Sequence, residues 1–297
     1  MFRKSDSRMI KDPRDVRISD IVRSFCEKNC VCIIGYPWDW TTAGRPGSRY
    51  APSKIRDYFY SMNPLSDKRV CDPGDIDVVP GDLEASSLRL KNSIRKLCEN
   101  CISIFIIGGD HSLTAVSVES LMEGFGLDRI GLLVFDAHFD LRKLSEGWSS
   151  GTYLRSLLEK LNDKVIPLII GIRYHSNPLY MFEEAKKLGV KFITADEFRM
   201  SKLDTIFDKI DEVFSDVKNL YISVDMDSLD QSICMGVNSP SPGGLDIWDV
   251  IKVINHVFKG KRLVGGDIVE VVPLVDIGDS CARNAAYILY KMVYGTA

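Results

Sequence analysis

Short apolar runs recur along the chain at 31–35, 103–107, 130–135, 165–170, 191–194 and 220–224, and again at 262–264 with 268–272. They are rich in Ile, Val, Leu and Phe and mostly end in Gly or Asp. Strands that are apolar throughout, rather than at every second position, suit a sheet covered on both faces. Helical patterns lie between them at 112–123, 151–161, 177–188, 201–214 and 247–258. This alternation predicts an α/β fold, a mostly parallel sheet with helices on both faces. With no long linker and no internal repeat, residues 1–297 read as one domain, and residues 1–20 as an extended arm or a short helix.

Composition narrows the class. The 297 residues are 45% hydrophobic and 27% charged, as in a water-soluble globular protein. A net charge of -3 supplies no basic excess for neutralising phosphates, so no nucleic-acid partner is expected. No apolar run is long enough to cross a bilayer, and the polar N-terminus has no signal-like apolar core. A cytoplasmic enzyme without a membrane partner is the expectation. Among the cysteines, Cys26, Cys30 and Cys32 lie close together, and Cys98 and Cys101 form a lone CxxC. A zinc or redox site would want a second CxxC or a nearby His pair, so the cysteines read as structural, with Cys32 in the core.

In a parallel sheet, ligands gather at the carboxyl ends of the strands. The chain places there IFIIGGDHS, with Asp110 and His111, and LLVFDAHFD, with Asp136, His138 and Asp140. YISVDMDSLD adds Asp225, Asp227 and Asp230, and DIVEVVP adds Glu270. Residues two apart in extended backbone share a side, so Asp136, His138 and Asp140 are expected to face one point, as are Asp225 and Asp227. Gathering four carboxylates is costly unless cations neutralise them. Two divalent ions balance Asp136, Asp140, Asp225 and Asp227, and His111 and His138 give each ion one nitrogen. An oxygen-rich set without thiolates suits manganese, with other divalent ions possible. Two such ions about 3.5–4 Å apart can share a water and present a hydroxide nucleophile.

These motifs resemble the ureohydrolases: arginase, agmatinase and formimidoylglutamase. The matching stretches are GGDHS (108–112), DAHFD (136–140), SVDMDSLD (223–230), NSPSPGGL (238–245) and DIVEVVP (267–273). GYPWDWTTAGRPGSRYAPSKIR (35–56) looks like the agmatinase form of that segment. The resemblance implies a three-layer α/β/α fold, arginase-like, around a parallel sheet of about eight strands. It also implies a two-manganese site and a trimeric or hexameric assembly. His111, Asp136, Asp140 and Asp225 would hold one ion or bridge, and His138 and Asp227 would complete the other. Glu270 would bind the substrate's cationic amidine and Asp140 would take the proton of the attacking water. Asp110 and Asp230 would orient ligands.

The resemblance breaks at GWSSGTYLRSLL, where Ser150 stands in place of the family's proton-shuttling His. Formimidoylglutamases show Ser-Gly-Thr here, as at 150–152. His175, at another strand end, is a possible substitute for the missing His. Arg142, Lys143 and Arg173 are the candidate cations for a substrate carboxylate, and Glu146 the candidate acid for an ammonium. The expected activity is hydrolysis of a small amidine or guanidine C–N bond. Agmatine is the first reading and formimidoylglutamate the alternative. A catalytically weak regulatory relative is a further alternative.

Overall fold

The computed structural model describes residue 12 and residues 14–295. Most of the expected N-terminal arm lies outside the described residues; within its described part, Ile18–Ile21 form a short helix. Eight strands make one sheet: β1 (Cys30–Tyr36), β2 (Val70–Asp75), β3 (Cys101–Gly108), β4 (Ile130–Phe135), β5 (Val165–Ile172), β6 (Lys191–Thr194), β7 (Asn219–Asp225) and β8 (Arg262–Val269). Their order is β2-β1-β3-β8-β7-β4-β5-β6, and every pairing is parallel.

Both faces of the sheet are covered, which is why its strands carry no polar alternation. Ile33, Phe105, Ile107, Leu133, Phe135, Ile222 and Ile268 point to one face and pack in a core that includes Ile55, Ile210, Ile254 and Leu289 from helices Ala51–Phe59, Leu203–Val213, Ile247–Phe258 and Ser280–Tyr294. Ile34, Ile104, Ile106, Leu132, Val134 and Ile169 point the other way. They pack with Leu90, Val118, Leu157 and Met181 from helices Leu83–Cys98, Leu113–Phe125, Tyr153–Leu161 and Leu179–Lys187. The result is three layers. Each fully buried Ile or Leu contributes roughly 1.5–3 kcal/mol.

The sequence pattern does not announce β2, whose residues VCDPGD have no apolar run. It is an edge strand, where Pro73 forfeits no interior ladder bond. The two pieces expected at 262–264 and 268–272 are one strand ending at Val269. Gly266 keeps it apparently broken in sequence yet continuous in space: a Cβ there would lie 2.4 Å from Ile222 O and from Met292 Cε. Among the described residues, no helix is long and apolar enough to cross a membrane.

The chain builds one half of the sheet as β2-β1-β3, crosses to β4-β5-β6, and returns to fill the gap with β7 and β8. The carboxyl ends of β3, β8, β7 and β4 thus stand side by side where the halves meet. A crevice at such a reversal of strand order is where parallel sheets bind ligands.

Candidate metal centre

Each ligand-bearing motif begins as its strand ends, and three use the same turn. Asp110 Oδ1 accepts the N–H of Ser112 at 3.1 Å, Asp136 Oδ1 that of His138 at 2.7 Å, and Asp225 Oδ1 that of Asp227 at 2.8 Å. An Asp bonding the backbone two residues on stops the ladder and turns the chain. The expected convergence through extended, every-second-residue spacing therefore needs correction. β4 ends at Phe135, Asp227 lies in the 3-10 turn Met226–Ser228, and Asp140 has φ +52°. Turns bring these side chains together. Glu270 has φ +67°. Such left-handed backbone costs about 1–3 kcal/mol outside glycine and persists where surroundings enforce it.

The six expected ligands form one cluster. His111 Nδ1 lies 3.2 Å from Asp136 Oδ2, 3.4 Å from Asp140 Oδ2 and 3.2 Å from Asp225 Oδ2. His138 Nδ1 lies 3.1 Å from Asp227 Oδ2 and 3.5 Å from Asp136 Oδ1. Asp136 thus turns one oxygen to each histidine. Donor atoms group as His111, Asp136 and Asp225, and as Asp136, His138 and Asp227, each within 4.8 Å.

Burial raises Asp225 well above the carboxylate range, with Asp227 and Asp136 adding repulsion. Burial and Asp136 bring Asp140 to about 6. Burial alone would lower His111; Tyr153 and the surrounding carboxylates outweigh it and hold it well above its usual value. The pocket thus demands positive charge, from protons or from cations.

The donor set fits a metal ion. Ser223 Oγ donates to Asp267 Oδ1 at 2.5 Å, so at 2.8 Å it can accept only from His111 Nε2–H. With a metal ion in place of the ring's second proton, Nδ1 would offer its lone pair to the carboxylate side, where the atom is fully buried and makes no hydrogen bond. A neutral imidazole oriented by a hydrogen bond on its far nitrogen is the form that ligates metals. Asp267 is anchored in turn by Thr114 Oγ1 at 2.7 Å and Tyr221 OH at 2.6 Å. The Tyr153 ring packs 4.3 Å from the His111 ring, centre to centre.

Ser223, Asp267 and Tyr153 were not singled out in the sequence as ligand-orienting residues. One signal was present, since Asp267 is a carboxylate inside an apolar, glycine-rich strand. Asp110 and Asp230, expected to orient ligands, hydrogen-bond to the turns beside them and, among the described residues, to no ligand side chain. Asp110 accepts from Thr41 and Ser112, and Gly109 packs so tightly there that a Cβ would lie 1.7 Å from Trp38 O. Asp230 accepts N–H groups of Ser232, Gly243 and Gly244, fixing a turn.

A cavity of about 190 Å³ opens onto the cluster, lined by His138, Asp140, Asp225, Asp227, Glu270, Ser150 and Arg142 among others. Glu270 is buried, its Oε1 accepting His111 N–H at 2.9 Å and its Oε2 the Asn238 amide at 2.9 Å. Burial and Asp110 raise it well above the usual range. Ser150 Oγ accepts Ala43 N–H at 3.0 Å and joins the two loops of the rim. Three sequence candidates lie elsewhere. Arg173 is buried and spends its guanidinium on the carbonyls of Asp227, Ser228 and Leu229. Lys143 lines a separate depression. His175 is exposed, bonds Ser241 at 2.8 Å and does not line the cavity. The side chain of Glu146 lies outside the described residues.

Residues 29–295 match the Arginase family, and the chain belongs to it. It is a hydrolase acting on C–N bonds of linear amidines or guanidines. Formimidoylglutamase from Halalkalibacterium halodurans is 33% identical over 278 residues, spanning 89% of this chain and 86% of that protein. Proclavaminate amidinohydrolase from Streptomyces clavuligerus is 31% identical over 276 residues, 89% of this chain and 87% of that one. The crystal structure of formimidoylglutamase from Bacillus subtilis superposes with a TM-score of 0.89 at 27% identity, covering 99% and 96% of the two chains.

Proposed function

We propose that this protein hydrolyses formimidoylglutamate to glutamate and formamide with two divalent ions, manganese by ligand chemistry, held by His111, Asp136, His138, Asp140, Asp225 and Asp227. The observation that carries the substrate is charge. Among the described residues lining the cavity, Arg142 is the single charged group outside the His/Asp cluster and Glu270. A dicarboxylate tail wants a cation there, and a guanidinium can bind a carboxylate through two parallel hydrogen bonds. Agmatine's distal ammonium would meet that same cation. Relatives named formimidoylglutamase support the reading, and so does Ser150 in place of a proton-shuttling His.

Glu270 accepts the substrate's amidinium, already oriented by Asn238 and the His111 peptide. The ion pair supplies Lewis acidity and a nucleophile at neutral pH when bound. Asp140, on the cavity wall, would accept a proton from an attacking water and return it to the leaving amine. The 150–152 turn and the loop at 41–43 form a shared rim, since Ser150 N–H also donates to Thr41 O at 2.9 Å. The full set of ligand-type side chains weighs against a catalytically weak relative.

Manganese-loaded protein offered formimidoylglutamate, agmatine, arginine and guanidinobutyrate tests the reading. Formamide from the first is the expected product. Urea from agmatine, with formimidoylglutamate untouched, would overturn it, and no turnover with metal bound would favour the weak relative.

A further inference from the structure

At the opposite, amino-terminal end of the sheet, cysteines from separate strands meet. Cys32 of β1 stands in register with Cys71 of β2, and Cys30 with Cys101 of β3. The Sγ atoms of Cys26, Cys71 and Cys101 all lie within 4.8 Å of one another. Cys32, in register with Cys71 on the neighbouring strand and buried in the same core, lies beside this group. Cys32, Cys71 and Cys101 are buried free thiols, whereas Cys26 is joined to Cys30 by a disulfide of 2.04 Å. The sequence pattern read these cysteines as structural because the lone CxxC of Cys98 and Cys101 has neither a second CxxC nor a His pair nearby. Strand pairing, not spacing, assembles them.

A tetrahedral thiolate site with metal–sulfur bonds of about 2.3 Å places its sulfurs roughly 3.8 Å apart, so the cluster needs little contraction to hold an ion. Single buried cysteines are ordinary core residues. Cys26 differs from them: it is partly exposed and reaches the group from a loop, packed against the edge of that core. A cavity of about 660 Å³ opens on Cys26 and Cys71 and carries Arg89 and Lys96 on its wall. It offers an ion a way in and places positive charge beside thiolates.

We propose that Cys26, Cys32, Cys71 and Cys101 form a thiolate site for a soft divalent cation such as zinc, closed while the Cys26–Cys30 disulfide stands. A dithiol reductant opens it. The dithiol gives two electrons and two protons to the disulfide, becomes a cyclic disulfide itself and leaves Cys26 and Cys30 as thiols. Binding of the ion then releases the protons of the four coordinating thiols to water.

Cobalt titration of the full chain tests this, because a sulfur-to-cobalt charge-transfer band cannot arise from the oxygen and nitrogen donors of the catalytic cluster. The band is expected after dithiol treatment and absent before it, saturating at one ion per chain and displaced by zinc. Cys30→Ser, which frees Cys26 by construction, is expected to show the band without reductant; its absence there overturns the site. A band of equal strength in untreated protein would overturn the disulfide gate. Cys71→Ser is expected to weaken cobalt binding at this site at least tenfold while formamide release is unchanged. Should that variant not fold, Cys101→Ser asks the same question, and an undiminished band in either overturns the ligand assignment.

Discussion

Replacing Ser223 by alanine separates ligand orientation from ligand identity. Ser223 is fully buried, accepts from His111 Nε2 at 2.8 Å and donates to Asp267 at 2.5 Å. Alanine fills nearly the same space but leaves the His111 N–H without that acceptor. The Nδ1 lone pair then no longer has its direction enforced from behind. Losing such a supporting hydrogen bond typically costs 10–100-fold in metal affinity or activity. That is about 1.4–2.7 kcal/mol. A buried donor left unpaired adds a folding cost of about 1–3 kcal/mol. The loss is asymmetric, because the partners of His138 among the described residues are Asp136 and Asp227, not Ser223 or Asp267. Stepwise metal titration by calorimetry, with chemical denaturation of the same variant, should therefore show one weakened ion and one nearly unchanged. Equal weakening of both ions, or none, would refute the argument that this serine sets the His111 tautomer. Ser223→Thr, which keeps the hydroxyl, should retain more of the affinity.

Asp227→Ala should remove the ion grouped with His138 and lower turnover at least a thousandfold, because the carboxylate 3.1 Å from His138 Nδ1 is gone; metal content by elemental analysis and formamide release check it. Arg142→Ala should raise KM for formimidoylglutamate roughly tenfold or more with a smaller change in kcat, the loss of a charge-assisted carboxylate contact; an unchanged KM would remove Arg142 from the tail site. Burial works against the charged Asp230, but the Ser232, Gly244 and Gly243 hydrogen bonds hold it at about 2, below its usual value. With its folded value depressed, Asp230 stabilises the protein above the ordinary carboxylate range, and this is lost as pH falls from about 4 towards 2. Urea denaturation should show Asp230→Ala less stable at neutral pH, with the gap to the parent closing across that window.

Much of the fold was open to reading from local pattern. Fully apolar runs marked the interior strands because both faces of this sheet are covered, and helices such as Ile247–Phe258 followed from spacing alone. β2 escaped because an edge strand can hold Pro73 and Gly74 without an apolar run. The ligand types were visible too, since four carboxylates and two histidines at strand ends need compensation wherever they meet. The reason first assigned to their meeting was wrong in detail, because strand spacing was invoked where Asx turns and positive φ do the work.

What the chain encodes by itself is therefore what neighbouring residues decide: the period of apolar positions, the turns at strand ends, and the ligand types. What only the tertiary structure decided is which distant residues became neighbours. β7 and β8 entered the gap between β3 and β4, and so Ser223 faced both Asp267 and His111. The same packing committed Arg173 to a turn, left Arg142 at the cavity and drew Cys26, Cys71 and Cys101 together, with Cys32 in register beside Cys71. Local periodicity carries no record of such pairings, because strands far apart in sequence find their order through the apolar surface that the whole sheet buries.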